Sequence, residues 1–245
     1  MRQQSLIGTV LAALIFGSWL VLHIYSVFFV DLSGPGRWPA PVLVLTLCWL
    51  NVGLFIVAHD AMHGSLAPAA PRLNHWLGGC ALIFYAGFRI DRLKPLHLAH
   101  HAHPGTANDP DFSLEHPTRF WPWYVIFIRR YFGWRQFLVL CVPVALYLAI
   151  GARFRNLLLF WALPAALSSL QLFYFGTYLP HRHDGAPFVD KHHARTSAFG
   201  WLLSLMTCFH FGYHHEHHLA PGVPWWRLPS ERRFRRLAQG DRQLG

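Results

Sequence analysis

The sequence predicts an all-α integral membrane protein: four transmembrane helices, with histidine-rich segments gathered at their cytoplasmic ends. Three observations predict it. Hydrophobic residues make up 53% of the 245 and charged residues only 13%, about half of the roughly 25% usual in soluble domains. Four apolar stretches free of Lys, Arg, Asp and Glu punctuate the chain. The 18 His outnumber the 11 carboxylates and fall mostly in short clusters. This much apolar and aromatic mass excludes a disordered chain, and residues 1–245 read as one membrane domain.

Leu6 to Val30 is long enough to cross a hydrocarbon core of roughly 30 Å and exceeds the apolar region of a signal peptide, so it reads as a retained first span of about 6–30. Gly34-Pro35-Gly36 and Pro39 mark a turn-rich hinge. A second span over about 42–60 runs directly into His59. Trp76 to Phe88 is only half a membrane long and reads as re-entrant, interfacial or buried, whereas Phe120 to Tyr131, aromatic with Arg129 and Arg130, has the pattern of an interfacial helix. Spans at about 137–151 and 157–180 flank a short turn and suggest a helical hairpin that tolerates Pro143 and Pro164. Phe199 to Tyr213 is a further short apolar stretch, and the tail beyond Trp225, with Arg227, Arg232, Arg233, Arg235 and Arg236, suits an anionic membrane surface. Residues 61–136 and 181–245 then lie on the cytoplasmic side.

The charge follows this topology. With a cytoplasmic N-terminus only Arg37, Arg153 and Arg155 fall outside, leaving 18 of the 21 Lys and Arg inside, as the positive-inside rule requires. The net charge of +10 therefore needs no nucleic-acid partner, and no nucleic-acid motif accompanies it. Cys48, Cys80, Cys141 and Cys208 sit far apart in apolar runs and read as small hydrophobes rather than a disulfide frame.

Four histidine clusters carry the chemistry. They are His59-Asp60-Ala61-Met62-His63, His97-Leu98-Ala99-His100-His101, the lone His181 after Tyr178-Leu179-Pro180, and His214-His215-Glu216-His217-His218. Residues i, i+3 and i+4 share a helical face, and in the four-span topology every cluster lies on the same side of the membrane. Imidazole suits zinc, copper, iron or nickel. Nine clustered His (His59, His63, His97, His100, His101, His181, His214, His217, His218) exceed the roughly four ligands of one tetrahedral zinc and suit two metal ions. Asp60, Asn108, Asp109 and Glu216 are candidates for orienting a ligand imidazole from behind. His23 reads as a packing residue, His75 and His116 as surface residues, and His192 and His193 as solvated. His103, His183, His210 and His215 stand near the clusters without an assigned role.

The series His-x3-His, His-x2-His-His, lone His, His-x2-His-His resembles the membrane fatty-acid desaturase and hydroxylase superfamily from about Ala58 to His218. Within it, the stretches Ala58 to Leu66, His97 to Thr106, Asn108-Asp109-Pro110-Asp111-Phe112, Phe175 to Arg182 and His214 to Pro221 resemble the bacterial beta-carotene ketolases. The resemblance implies four transmembrane helices under a cytosolic histidine-rich cap in the inner (cytoplasmic) membrane, with two iron ions held by the nine His. It also implies dioxygen as co-substrate and electrons from a separate protein such as a ferredoxin. The expected reaction is oxidation of a carotenoid ring methylene at carbon 4 to a ketone, through two hydroxylations and loss of water. Acyl desaturation or hydroxylation uses the same ligand pattern and is the alternative. An intramembrane zinc protease fits poorly, because Asp60 stands where such a site needs Glu. A metal transporter fits poorly too, since its site belongs near the bilayer midplane.

Overall fold

The computed structural model describes residues 1–243 and is helical throughout, with no strand among the described residues. In chain order the helices are α1 (Arg2–Phe28), α2 (Ala40–His63), α3 (Pro71–Ala86), α4 (Ile90–Ala102), α5 (Phe120–Tyr131) and α6 (Trp134–Ala149). They are followed by α7 (Phe154–His181), α8 (Trp201–Cys208), α9 (His214–Leu219) and α10 (Leu228–Gln243).

Among the described residues three helices are long and apolar enough to cross a membrane: α1, α2 and α7. The span expected at 137–151 corresponds to α6 but is not by itself long enough to cross a membrane. Helix α6 has 16 residues, about 24 Å at 1.5 Å per residue, and forms a fourth span only together with α5, from which it bends by 73°. The expected hairpin also differs. Helices α6 and α7 stand apart over much of their length, with a cavity between them.

Helix α2 is the centre of the bundle, packed by α1, α3, α7 and α8. Leu47, Val52, Leu54, Ile56 and Ala58 are fully enclosed. Gly78 lets α3 approach closely, since a Cβ there would sit 2.5 Å from Ala61 Cβ. Gly64, in the left-handed region at φ 73°, ends α2 directly after His63, the usual role of glycine past a helix C-terminus. His23 is buried with its ring stacked on Trp19 at 4.8 Å, and Trp19 donates to Asn51 Oδ1 at 2.8 Å, a packing role as expected.

The far end of the bundle is tied by polar contacts. Asn156, fully buried in the first turn of α7, donates its amide to the carbonyls of Ser26, Val27 and Val30, which closes the C-terminal end of α1. Asp31 pairs with Arg153 and Arg155 at 3.1 and 3.3 Å. The four cysteines are free thiols.

Candidate metal centre

The histidines reach the site from four helices, and their helical spacing sorts them. His59 and His63 share a face at the end of α2, one turn apart. On α4, His97 and His101 are likewise one turn apart, whereas His100 points about 100° away from His101. On α9 the pair is His214 and His218, with His217 turned aside. In the folded chain one group consists of His59, His63, His97, His101 and His217, and a second of His100, His181, His214 and His218. Within each group the ligand nitrogens lie within 4.8 Å of one another. Each i,i+4 pair therefore serves one group, and the odd histidine of each triplet crosses to the other. The two groups adjoin: the His101 ring stacks on His218 at 4.3 Å. The structure thus brings together all nine clustered His, while His103, His183, His210 and His215 belong to neither group.

Hydrogen bonding alone does not account for the converging nitrogens. His181 Nδ1 donates to the His193 carbonyl at 2.7 Å, so the neutral ring presents a bare lone pair at Nε2. His214 Nε2 stands 2.9 Å from that nitrogen and 3.1 Å from His218 Nε2. In the other group His217 Nε2 faces both His59 Nε2 at 3.1 Å and His101 Nε2 at 3.0 Å, and His63 Nε2 faces His97 Nε2 at 2.7 Å. A single ring proton serves one such neighbour, whereas a cation at the centre of each group serves every lone pair. Burial, and after it the neighbouring imidazoles, pushes His97, His101, His214, His217 and His218 below the ordinary histidine range. These rings are uncharged at neutral pH, the state a metal requires. The donor set fits two metal ions, five imidazoles for one and four for the other.

Carboxylates and carbonyls hold the outer nitrogens. Asp109 takes the His100 Nδ1–H at 2.9 Å and is itself held by the backbone N–H groups of Gly105 and Asp111, each at 2.8 Å. Burial opposes charge on this pair. Asp109 and Asp111 nevertheless raise the His100 pKa, and His100 with the two amides keeps Asp109 below its usual range. Asp60 faces His59 Nδ1 at 3.2 Å and accepts the Trp225 N–H at 2.9 Å.

The other two candidate carboxamide and carboxylate partners are elsewhere. Asn108 is exposed; its neighbour Asp109, turned inward by the loop, makes the contact. Glu216 is buried but accepts from Thr196 rather than from a histidine. Three partners went unnoticed in the sequence: Asp111, which accepts from Tyr131; Asp190, 2.8 Å from His215 Nε2; and His193, through its carbonyl. None lies at helical spacing from a cluster.

A cavity of about 820 Å³ leads from the histidines along α7, walled opposite by α5 and α6. His59, His97, His100 and His214, drawn from both groups, line one end. The remaining wall is mainly apolar and aromatic, running past Phe173 and Trp161 to Leu158 and Phe154. The last two are exposed on the bundle surface, so the cavity reaches the lipid-facing side. Two π-helical stretches in α7, Leu158–Ala162 and Phe173–Tyr178, border it, and such stretches are frequent at functional sites.

Comparison with known proteins agrees with this architecture. The fatty acid desaturase family model matches residues 36–140 and 114–241. A beta-carotene ketolase of Paracoccus sp. (strain PC1) is 49% identical over 237 residues, covering 94% of each chain. A beta-carotene ketolase of a second Paracoccus strain is 50% identical over 89% of each chain. A beta-carotene 4-ketolase of the alga Protosiphon botryoides is 36% identical over 93% of this chain and 64% of its own. No solved structure matches the chain. The chain belongs to the fatty acid desaturase family, within the group of relatives named beta-carotene ketolases.

Proposed function

We propose that the protein is an oxygen-dependent ketolase. It converts the C4 methylene of the β-ionone rings of beta-carotene to a ketone, giving echinenone and canthaxanthin. The observation that carries this reading is the long apolar cavity with histidines of both groups at one end, which suits a rod-like polyene presenting one ring to the site. The names of the relatives point to the same substrate.

His59, His63, His97, His101 and His217 would hold one iron and His100, His181, His214 and His218 the other. When bound, the irons supply dioxygen activation, with electrons from a separate ferredoxin-like protein. Each hydroxylation takes up one dioxygen, two electrons and two protons, inserts one oxygen into a C4–H bond and releases the other as water. The second, at the same carbon, gives a geminal diol that loses water to the ketone. That C–H bond is allylic and therefore weak.

The chain's own residues provide positioning. Asp109 retains the His100 Nδ1 proton and Asp60 stands against that of His59, so the Nε2 atoms stay turned inward. Phe55, Leu93, Phe211 and the other apolar walls hold the ring and exclude water. Placement matters because a shift of about 1 Å can cost on the order of a hundredfold in rate. The 18 cytoplasmic Lys and Arg of the four-span topology favour the inner membrane with the site on its cytoplasmic face.

The test is the pigment profile of a bacterial host that accumulates beta-carotene, expressing this chain beside its His100→Ala variant. Red-shifted keto-carotenoids from the chain and none from the variant are expected. An unchanged profile from well-expressed, iron-loaded protein overturns the reading and turns attention to acyl lipids.

A further inference from the structure

His193 lies outside both histidine groups and outside every helix, yet it touches the supports of two members of the four-histidine group. Its backbone is in the left-handed region at φ 42°, a conformation uncommon outside glycine and adopted most readily, among other residues, by asparagine, aspartate and histidine. That backbone turns the carbonyl onto His181, whose Nδ1 donates to it at 2.7 Å. The same residue's ring Nδ1 donates to the Pro104 carbonyl at 2.8 Å. Pro104 begins the tight turn that continues through Gly105, whose N–H holds Asp109 Oδ2 at 2.8 Å, and Asp109 holds His100. The turn is packed against His193: a Cβ on Gly105 would lie 3.1 Å from His193 Cβ. Two residues on, the Arg195 N–H donates to the Pro180 carbonyl at 3.1 Å and its guanidinium to Arg182 O at 2.6 Å, so the strap is fixed on both sides of His181.

We infer that His193 is a positioning residue that clamps the four-histidine group. Its carbonyl orients His181 and its ring secures the loop that orients His100. Among the described residues its hydrogen bonds to the site run to the four-histidine group and its supports, not to the five-histidine group, so its loss acts on one metal of the two. This rests on the two-metal reading above, and the test separates the two. Orienting partners of this kind typically change metal affinity by about 10–100-fold.

The experiment loads purified full-length protein, and its His193→Ala, His193→Asn and His193→Gly variants, with ferrous iron. It then follows iron release to a chelator and the number of distinct iron environments by Mössbauer spectroscopy. In the unaltered protein two irons per chain test the two-metal reading alone. In His193→Ala, one iron is expected to leave at least about tenfold faster, with one environment lost and the other unchanged. His193→Asn, which tolerates a positive φ and keeps a donor for Pro104 O, should retain both. His193→Gly relaxes the backbone but lacks the ring, and should release one iron as the alanine variant does. Release of both irons together, of neither, or full retention in the glycine variant overturns the clamp.

Discussion

Replacing Asp109 by asparagine exchanges one carboxylate oxygen for an NH2 group and tests how the site is held. The carboxylate accepts the His100 Nδ1–H at 2.9 Å through Oδ1, the Gly105 N–H at 2.8 Å through Oδ2 and the Asp111 N–H at 2.8 Å through Oδ1. Both side chains of the pair are almost wholly enclosed, at 4% and 1% exposure, so solvent neither screens the interaction nor replaces it. An asparagine has one oxygen for these donors, and its NH2 must face a backbone N–H. Leaving that buried donor unsatisfied costs about 1–3 kcal/mol, and the bonds that remain lose the strengthening of a charged acceptor, about 1 kcal/mol more. The expected loss for Asp109→Asn is therefore about 2–4 kcal/mol in the metal-free protein, with iron held about 10–100-fold more weakly. Thermal unfolding in detergent micelles, with and without iron, and competition against a chelator measure both quantities. An unchanged metal-free midpoint together with iron affinity within twofold of the original would refute the argument.

Other outcomes follow from the same contacts. Ala165→Phe, which places a large ring in the wall of the cavity, should cut carotenoid turnover at least about tenfold while iron content measured by metal analysis stays at two per chain. Asn156→Ala removes a side-chain donor shared by three carbonyls at the end of α1 and should destabilise the protein by about 1–3 kcal/mol, read as a lower midpoint with unchanged iron binding. Metal-free protein should lose stability in acid. Burial lowers the folded pKa of His97, His101, His214, His217 and His218, so below the unfolded value of about 6.5 the unfolded chain binds more protons, at about 1.4 kcal/mol per pH unit for each ring. Above pH 6.5 these rings contribute no pH dependence, and midpoints measured from pH 8 to 5 should show a plateau followed by a fall.

Much of this was legible in the sequence because hydropathy and helical spacing are local. The first, second and last spans appear within a few residues of their expected ends, and the clusters with i,i+4 spacing lie on helices, as that spacing predicted. The third span was harder. Arg129, Arg130 and Arg135 interrupt the apolar run, and only the bend between α5 and α6 joins the two parts. Choosing between Asn108 and Asp109 depends on a turn through Gly105 at φ 68°, which no periodicity encodes. His193 was read as solvated because its neighbours are charged; its role depends on one unusual backbone angle and on strands of chain almost ninety residues apart. Such contacts are set by how loops cross, and a sequence pattern does not contain that information.

The distribution of the histidines over helices has a mechanical consequence. Helix α2 contributes only to the five-histidine group and α7 only to the four-histidine group, while α4 and α9 contribute to both. In α4 the two groups are served by the adjacent His100 and His101, and in α9 by the adjacent His217 and His218. Neighbouring Cα atoms are fixed about 3.8 Å apart, and within a helix the angle between their side chains is fixed as well. The spacing between the groups is thus set by two short helices and cannot change without unwinding one of them. The walls of the cavity come chiefly from α5, α6 and α7, and α6 has no buried residue. A wall of this kind can yield to admit a long lipid while the separation of the two groups is held elsewhere. Under the proposed function, substrate entry and metal geometry therefore fall to different parts of the fold, and His59, His97, His100 and His214, which belong to the histidine groups and also line the cavity, are where the two parts meet.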